Sequence, residues 1–70
     1  MTAIQRIDAA DVVVGDLLWF LGQTHRVTSI DVTRRLYAYD RDPNDWRTAR
    51  EEPTGWTYTL IPGEMVEVLA

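Results

Sequence analysis

One segment of this sequence carries oxygen-bearing side chains at the spacing of a calcium-binding loop. Asp40, Asp42 and Asn44 are followed by Thr48 and then by Glu51 at the twelfth position. In an EF-hand loop, carboxylates and a carbonyl at this spacing surround one ion, and the last Glu binds through both of its oxygens. The order of ligand types is therefore that of a calcium site.

The same segment departs from the calcium pattern at several positions. Asp45 stands at the sixth position in place of the Gly that permits the sharp turn, Arg47 replaces an apolar residue at the eighth, and Pro43 stiffens the start. The residues before the segment, Leu36 to Tyr39, have the alternation of a strand and not of a flanking helix. We therefore expect a solvated acidic loop that is partly neutralised by nearby arginines, with no calcium or other metal and no cofactor.

A second set of residue types could do hydrolytic chemistry. His25, Ser29 and Asp31 share one face of a predicted strand. Residues along one strand lie in a row, whereas a catalytic triad needs side chains that converge beside an oxyanion donor. The sequence also contains no Gly-rich phosphate loop and no nucleophile elbow. We predict that the chain is not an enzyme.

Aromatic and arginine residues are better candidates for binding. Tyr37 and Tyr39 lie on one face of a predicted strand, and Trp46, Arg41 and Arg47 follow nearby. These residue types are enriched at protein interfaces. The alternative is that the tyrosines cover the edge of the fold with their hydroxyls in water. We predict that the five residues contact a protein partner or a second copy of the chain.

The charge balance ranks the classes of partner. Eleven carboxylates and seven basic residues give a net charge of -4, which repels a phosphate backbone. The alternative function is a nucleic-acid-associated barrel that uses Arg34, Arg35 and the aromatic residues for stacking. Every basic residue is Arg, a bias that a GC-rich genome, such as that of an actinobacterium or one of its phages, would produce.

Length and composition describe one small domain. Seventy residues, 46% of them hydrophobic, can form a core, but a chain of this size buries only about 60% of its unfolded surface. A partner or a second copy would add buried surface. The sequence has no Cys, no signal-peptide pattern and no apolar run of membrane-spanning length, so we expect a cytoplasmic protein that makes no contact with a membrane.

Short apolar runs separated by turn residues predict an all-β domain over residues 1–70. The predicted strands share either alternating hydrophobicity or a short apolar run; they cover residues 4–7, 17–21, 24–33, 36–40, 56–60 and 66–68. Residues 17–21 are apolar on both faces, which favours a central strand. Residues 8–11 favour one helical or 3₁₀ turn, and residues 41–53 favour equally a short helix or an irregular loop.

Two local features fix how these strands connect. Gly22-Gln23 has the form of a two-residue hairpin turn that would pair Leu21 with Thr24. The apolar residues of 24–33 change face near Thr28-Ser29, which predicts a bulge or bend that curls a sheet into a barrel.

The succession of turn residues and core valines resembles that of the SH3-like small β-barrels of bacteria and their phages. The residues that carry the resemblance are Val14-Gly15-Asp16, Gly22, Val27, Ile30, Ile61-Pro62-Gly63 and Val66-Glu67-Val68. The resemblance implies a barrel of five to six short antiparallel strands. It implies no functional residue, because such barrels have many unrelated functions.

Overall fold

The described part of the chain forms seven antiparallel strands in two sheets. The computed structural model describes residues 3–34 and 45–69. The strands are β1 (Ile4–Asp8), β2 (Leu17–Phe20), β3 (Gln23–Arg26), β4 (Ser29–Arg34), β5 (Trp46–Glu51), β6 (Trp56–Leu60) and β7 (Met65–Leu69). The first sheet has the order β1-β7-β2-β3, and the second has the order β4-β5-β6. The all-β prediction is confirmed; over the described residues the two sheets do not close into a barrel.

Small aliphatic side chains from both sheets build the core. Val66 and Val68 alternate with exposed neighbours on β7, and Leu18 and Leu60 enter from β2 and β6. Strand alternation places such residues on one face, so each sheet presents an apolar surface to the other. Among the described residues, the buried hydrophobic side chains are those of Ala9, Val12, Leu18, Val27, Ala49, Leu60, Val66 and Val68.

The chain passes from the first sheet to the second at Val27 and Thr28. The Val27 N–H donates to the Asp16 carbonyl at 2.9 Å, and the Thr28 N–H donates to the Arg50 carbonyl at 2.8 Å. These bonds hold the junction against a turn on one side and against β5 on the other. The prediction of a single strand over residues 24–33 was therefore wrong, and the change of apolar face near Thr28-Ser29 marks the step from β3 in the first sheet to β4 in the second.

The predicted single turn after β1 is a 3₁₀ turn at Ala9–Asp11. Asp8 caps it, because its Oδ1 accepts from the Ala10 N–H at 2.8 Å and from the Gly63 N–H at 3.1 Å. These two backbone donors, Ala10 first, lower the pKa of Asp8. Asp8 thereby joins the 3₁₀ turn to the turn that precedes β7.

The prediction for residues 46–51 was wrong, since they form β5, the central strand of the second sheet. β5 pairs with β4 and β6, for example through Ala49 opposite Ile30 and Tyr58. The sequence of this strand is polar, and an arginine occupies one of its inward positions. The rest of the segment predicted as helix or loop, 41–44, lies outside the described residues, as does the predicted strand 36–40.

The turn between β2 and β3 lies one residue earlier than predicted. Phe20 pairs with Gln23, so Leu21 and Gly22 are the two loop residues. Both have positive φ, 50° and 78°, as a type I′ turn requires. The prediction that the strand is buried on both faces is wrong for its last two residues, since Phe20 is 38% exposed and Leu21 is 86% exposed.

Candidate functional site

Within residues 3–34 and 45–69, the aromatic side chains lie around the core and not within it. Trp19, Trp46, Trp56 and Tyr58 are half-buried and Phe20 is exposed, whereas each fully buried hydrophobic residue is an alanine, a valine or a leucine. Aromatic residues normally supply much of the apolar area of a core. Their position at the margin is therefore the feature of this molecule that most needs a functional explanation.

Three of these rings, one from the first sheet and two from the second, meet beside the core. Phe20 lies two residues after buried Leu18 on β2, and Trp56 and Tyr58 precede buried Leu60 on β6. Period-two alternation therefore aims all three rings towards the space between the sheets.

The three rings form one contiguous surface. The centroids of Phe20 and Tyr58 are 5.3 Å apart at an interplanar angle of 69°, an edge-to-face contact. Trp56 lies 6.0 Å from Tyr58 and 6.2 Å from Phe20. These separations fall within the range in which aromatic pairs attract one another.

A cavity of about 220 Å³ opens beside these rings, and we call it the aromatic groove. β2 and β7 pair only at Leu17–Leu69 and Leu18–Val68 and separate beyond these residues. The groove lies where they separate. Its apolar lining consists of Leu18, Trp19, Phe20, Trp56, Tyr58, Met65 and Val66, and its charged lining consists of Arg6 and Glu67. Arg6 and Glu67 are register partners on β1 and β7.

A polar contact between the sheets supports one side of the groove. His25 on β3 stacks on Trp56, with ring centroids 3.9 Å apart and planes 5° from parallel. Its Nδ1 lies 3.0 Å from Oε1 of Glu51 on β5, and the other oxygen of Glu51 accepts from the Arg26 N–H at 2.9 Å. The His25 bond, followed by the Arg26 bond, lowers the pKa of Glu51.

His25 therefore has a structural position that the sequence did not indicate. It lies on β3 in the first sheet, whereas Ser29 and Asp31 lie on β4 in the second. The ring of His25 is held between Trp56 and Glu51 and orients the Trp56 side chain that lines the groove.

Two of the five predicted contact residues lie in the described part of the chain. Trp46 and Arg47 are adjacent on β5, so their side chains lie on opposite faces of the second sheet, and Arg47 is only 6% exposed. Tyr37, Tyr39 and Arg41 lie outside the described residues. Contact of these five residues with a partner stays a prediction.

Arg47 ties the second sheet to the first turn of the chain. Its Nη2 donates to the carbonyls of Ala9 and Ala10 at 2.8 and 2.9 Å. A buried guanidinium needs such acceptors, because an uncompensated charge in the interior is costly. The side chain therefore has a role in holding the fold.

The end of the calcium-like segment belongs to a strand. Thr48 and Glu51 lie on β5, where the Thr48 hydroxyl contacts the Thr33 hydroxyl and Glu51 is bound by His25, Arg26 and Thr54. Within residues 3–34 and 45–69, no cluster of three or more His, Asp or Glu could hold a metal ion. The first three positions of the motif, 40–44, lie outside those ranges.

The groove residues were not identified as a site from the sequence. Residues 17–21 and 56–60 were predicted as strands, and none of Phe20, Trp56 and Tyr58 was among the predicted contact residues. The chain has seven aromatic residues, but hydrophobic patterning places each ring only on a face of its own strand. The pattern does not say which rings remain at the margin.

Comparisons with protein-family models, with curated proteins and with solved structures found no match to this chain. In the part of the chain that the structure describes, no helix has the length and apolar character needed to cross a membrane.

Proposed function

We propose that this chain is a non-enzymatic binding module whose aromatic groove docks an extended segment of a second protein. The observation that carries the proposal is the convergence of Phe20, Trp56 and Tyr58 at a concave surface, while small aliphatic residues fill the core. Tryptophan and tyrosine are among the residues that contribute most at interfaces, chiefly where they line desolvated pockets.

The size of the groove suits single side chains of a longer partner. Its volume of about 220 Å³ is below the roughly 300–1,000 Å³ of sites that enclose a whole small molecule. An extended segment can place one side chain in such a cavity while its backbone lies across the exposed rim, where Met65 is 49% exposed.

The net charge favours a different protein over a second copy. Two chains of charge -4 repel one another, whereas a neutral or basic segment does not meet this repulsion. We therefore assign the groove to a second protein and treat self-association as an outcome of the test.

The replacement Phe20→Ser tests the proposal, since it removes one wall of the groove at an exposed position. Immobilised wild-type protein should retain a partner from a lysate of the source organism, and Phe20→Ser should lose at least about nine-tenths of it, as for a residue that contributes about 1.4 kcal/mol or more. Leu21→Ser is the matched control, because Leu21 is the next residue, is apolar and exposed, and does not line the groove.

The fold of each variant is checked by circular dichroism, and the mass of the free protein by light scattering. The same partner bound equally by wild type and a folded Phe20→Ser variant would contradict the proposal. Self-association that Phe20→Ser abolishes would replace the second protein by a second copy.

A further inference from the structure

The residues that line the aromatic groove indicate which type of side chain it binds. This inference rests on the proposed function, since it concerns the chemistry of the same groove. We propose that the groove takes a cationic side chain, Lys or Arg, of the partner segment, with its charge between the aromatic rings and the Glu67 carboxylate.

The arrangement of the rings supports a cationic occupant. The Phe20 and Tyr58 rings are inclined at 69°, the Tyr58 and Trp56 rings are 23° from parallel, and all three residues line the cavity. One face of Trp56 is covered by His25. The face of an aromatic ring carries negative electrostatic potential and attracts an ammonium or guanidinium group within about 6 Å. The long apolar stem of Lys or Arg can meanwhile contact Met65 and Leu18.

The Glu67 carboxylate and the net charge of the chain favour a cation, whereas Arg6 in the same lining opposes it. Glu67 supplies a carboxylate in the lining, and the chain as a whole has a charge of -4. Arg6 stands opposite Glu67 in the β1–β7 register and competes with an arriving cation for that carboxylate. The other carboxylate near the rings, Glu51, is already bound by His25 and the Arg26 N–H.

Arg6 and Glu67 carry opposite charges, so replacing each of them should change the affinity for a cationic peptide in opposite directions. Acetyl-Ala-Ala-Lys-Ala-Ala-amide is titrated into ¹⁵N-labelled protein at low ionic strength, and the amide shifts of residues 18–20, 56–58 and 65–67 are followed. A norleucine peptide of the same length removes the charge and keeps the stem, and a glutamate peptide reverses the charge.

We expect the lysine peptide to bind about fivefold more tightly than the norleucine peptide and to shift the groove amides. Glu67→Gln should weaken its binding about two- to fivefold, and Arg6→Gln should strengthen it by a similar factor. Glu64→Gln changes the net charge by the same unit at an exposed residue outside the lining, so it should change the affinity less than Glu67→Gln does.

Equal affinity for the lysine and norleucine peptides would overturn the cationic assignment and leave the groove as a docking site for uncharged side chains. Tighter binding of the glutamate peptide, reversed effects of Arg6→Gln and Glu67→Gln, or no shift at about 10 mM lysine peptide would also overturn it. The Phe20→Ser experiment is a separate test. If that variant retains the partner protein as well as wild type does, the result contradicts the proposed function itself.

Discussion

At the residue scale, the buried side chain of Arg47 connects two parts of the fold by hydrogen bonds. The residue lies on the inward face of β5, opposite Val32 and Leu60 in the neighbouring strands. Its guanidinium reaches the carbonyls of the 3₁₀ turn, so it connects segments that are 37 or 38 positions apart. The buried arginine thus links the second sheet to the segment that follows β1.

Arg47→Met should destabilise the protein by about 2–4 kcal/mol. The substitution removes two charge-assisted hydrogen bonds and leaves the carbonyl of buried Ala9 without this donor. Urea unfolding followed by circular dichroism measures the change. Arg50→Met is the control, because Arg50 lies on the other face of β5, and it should cost less than about 1 kcal/mol. Equal losses in the two variants would contradict the structural role of Arg47.

At the element scale, the β2–β3 hairpin contains a residue that does not suit its backbone. Leu21 has a φ of 50° and is 86% exposed, so neither its conformation nor its packing is favourable. The left-handed region costs an ordinary L-residue about 1–2 kcal/mol, and Asn adopts it more readily. Asn-Gly is the preferred pair for a type I′ turn.

Leu21→Asn should therefore stabilise the protein by about 1 kcal/mol and raise Tm by about 4–8 °C. Scanning calorimetry measures the shift. Leu21→Ala separates the two contributions, because it removes the exposed apolar side chain but keeps a Cβ in the left-handed region. A similar rise in Tm for Leu21→Ala would show that the backbone conformation is not the cause.

The strands that could be predicted from the sequence have either one apolar face or, as in β2, a short apolar run. Trp56, Tyr58 and Leu60 alternate with threonines, and Val66 alternates with Glu67, so β6 and β7 were identified by their pattern. β5 was missed, because the inward position Arg47 is charged and hydrophobic alternation cannot reveal a strand whose interior residue is an arginine.

The aromatic groove could not be predicted for a different reason. Phe20 and Tyr58 are 38 positions apart, and their contact depends on how the two sheets face each other. A single-sequence pattern gives the face on which a side chain lies within its own strand, but not the strand that lies opposite in the other sheet. His25 is a similar case, since its partners Glu51 and Trp56 belong to the second sheet.

At the scale of the whole molecule, the two sheets depend on each other. The first sheet contributes Leu18, Val66 and Val68 to the core, and the second contributes Ala49 and Leu60. Neither set is large enough to bury its own apolar face. The sheets are also joined by hydrogen bonds from Arg47 and Thr28 and by the contact of His25 with Glu51. Separation of the sheets would break the core and these bonds together.

We therefore expect the two sheets to unfold in one cooperative transition. Trp19 lies on β2 in the first sheet, and Trp46 and Trp56 lie on β5 and β6 in the second, so 5-fluorotryptophan gives one ¹⁹F signal from the first sheet and two from the second. In a urea titration the native signals of all three residues should disappear with the same midpoint and the same m value, as two-state unfolding requires. Loss of the Trp19 signal at a lower urea concentration than the Trp56 signal, or the reverse, would show that one sheet persists without the other. In that case the eight buried hydrophobic residues would not form a single cooperative core.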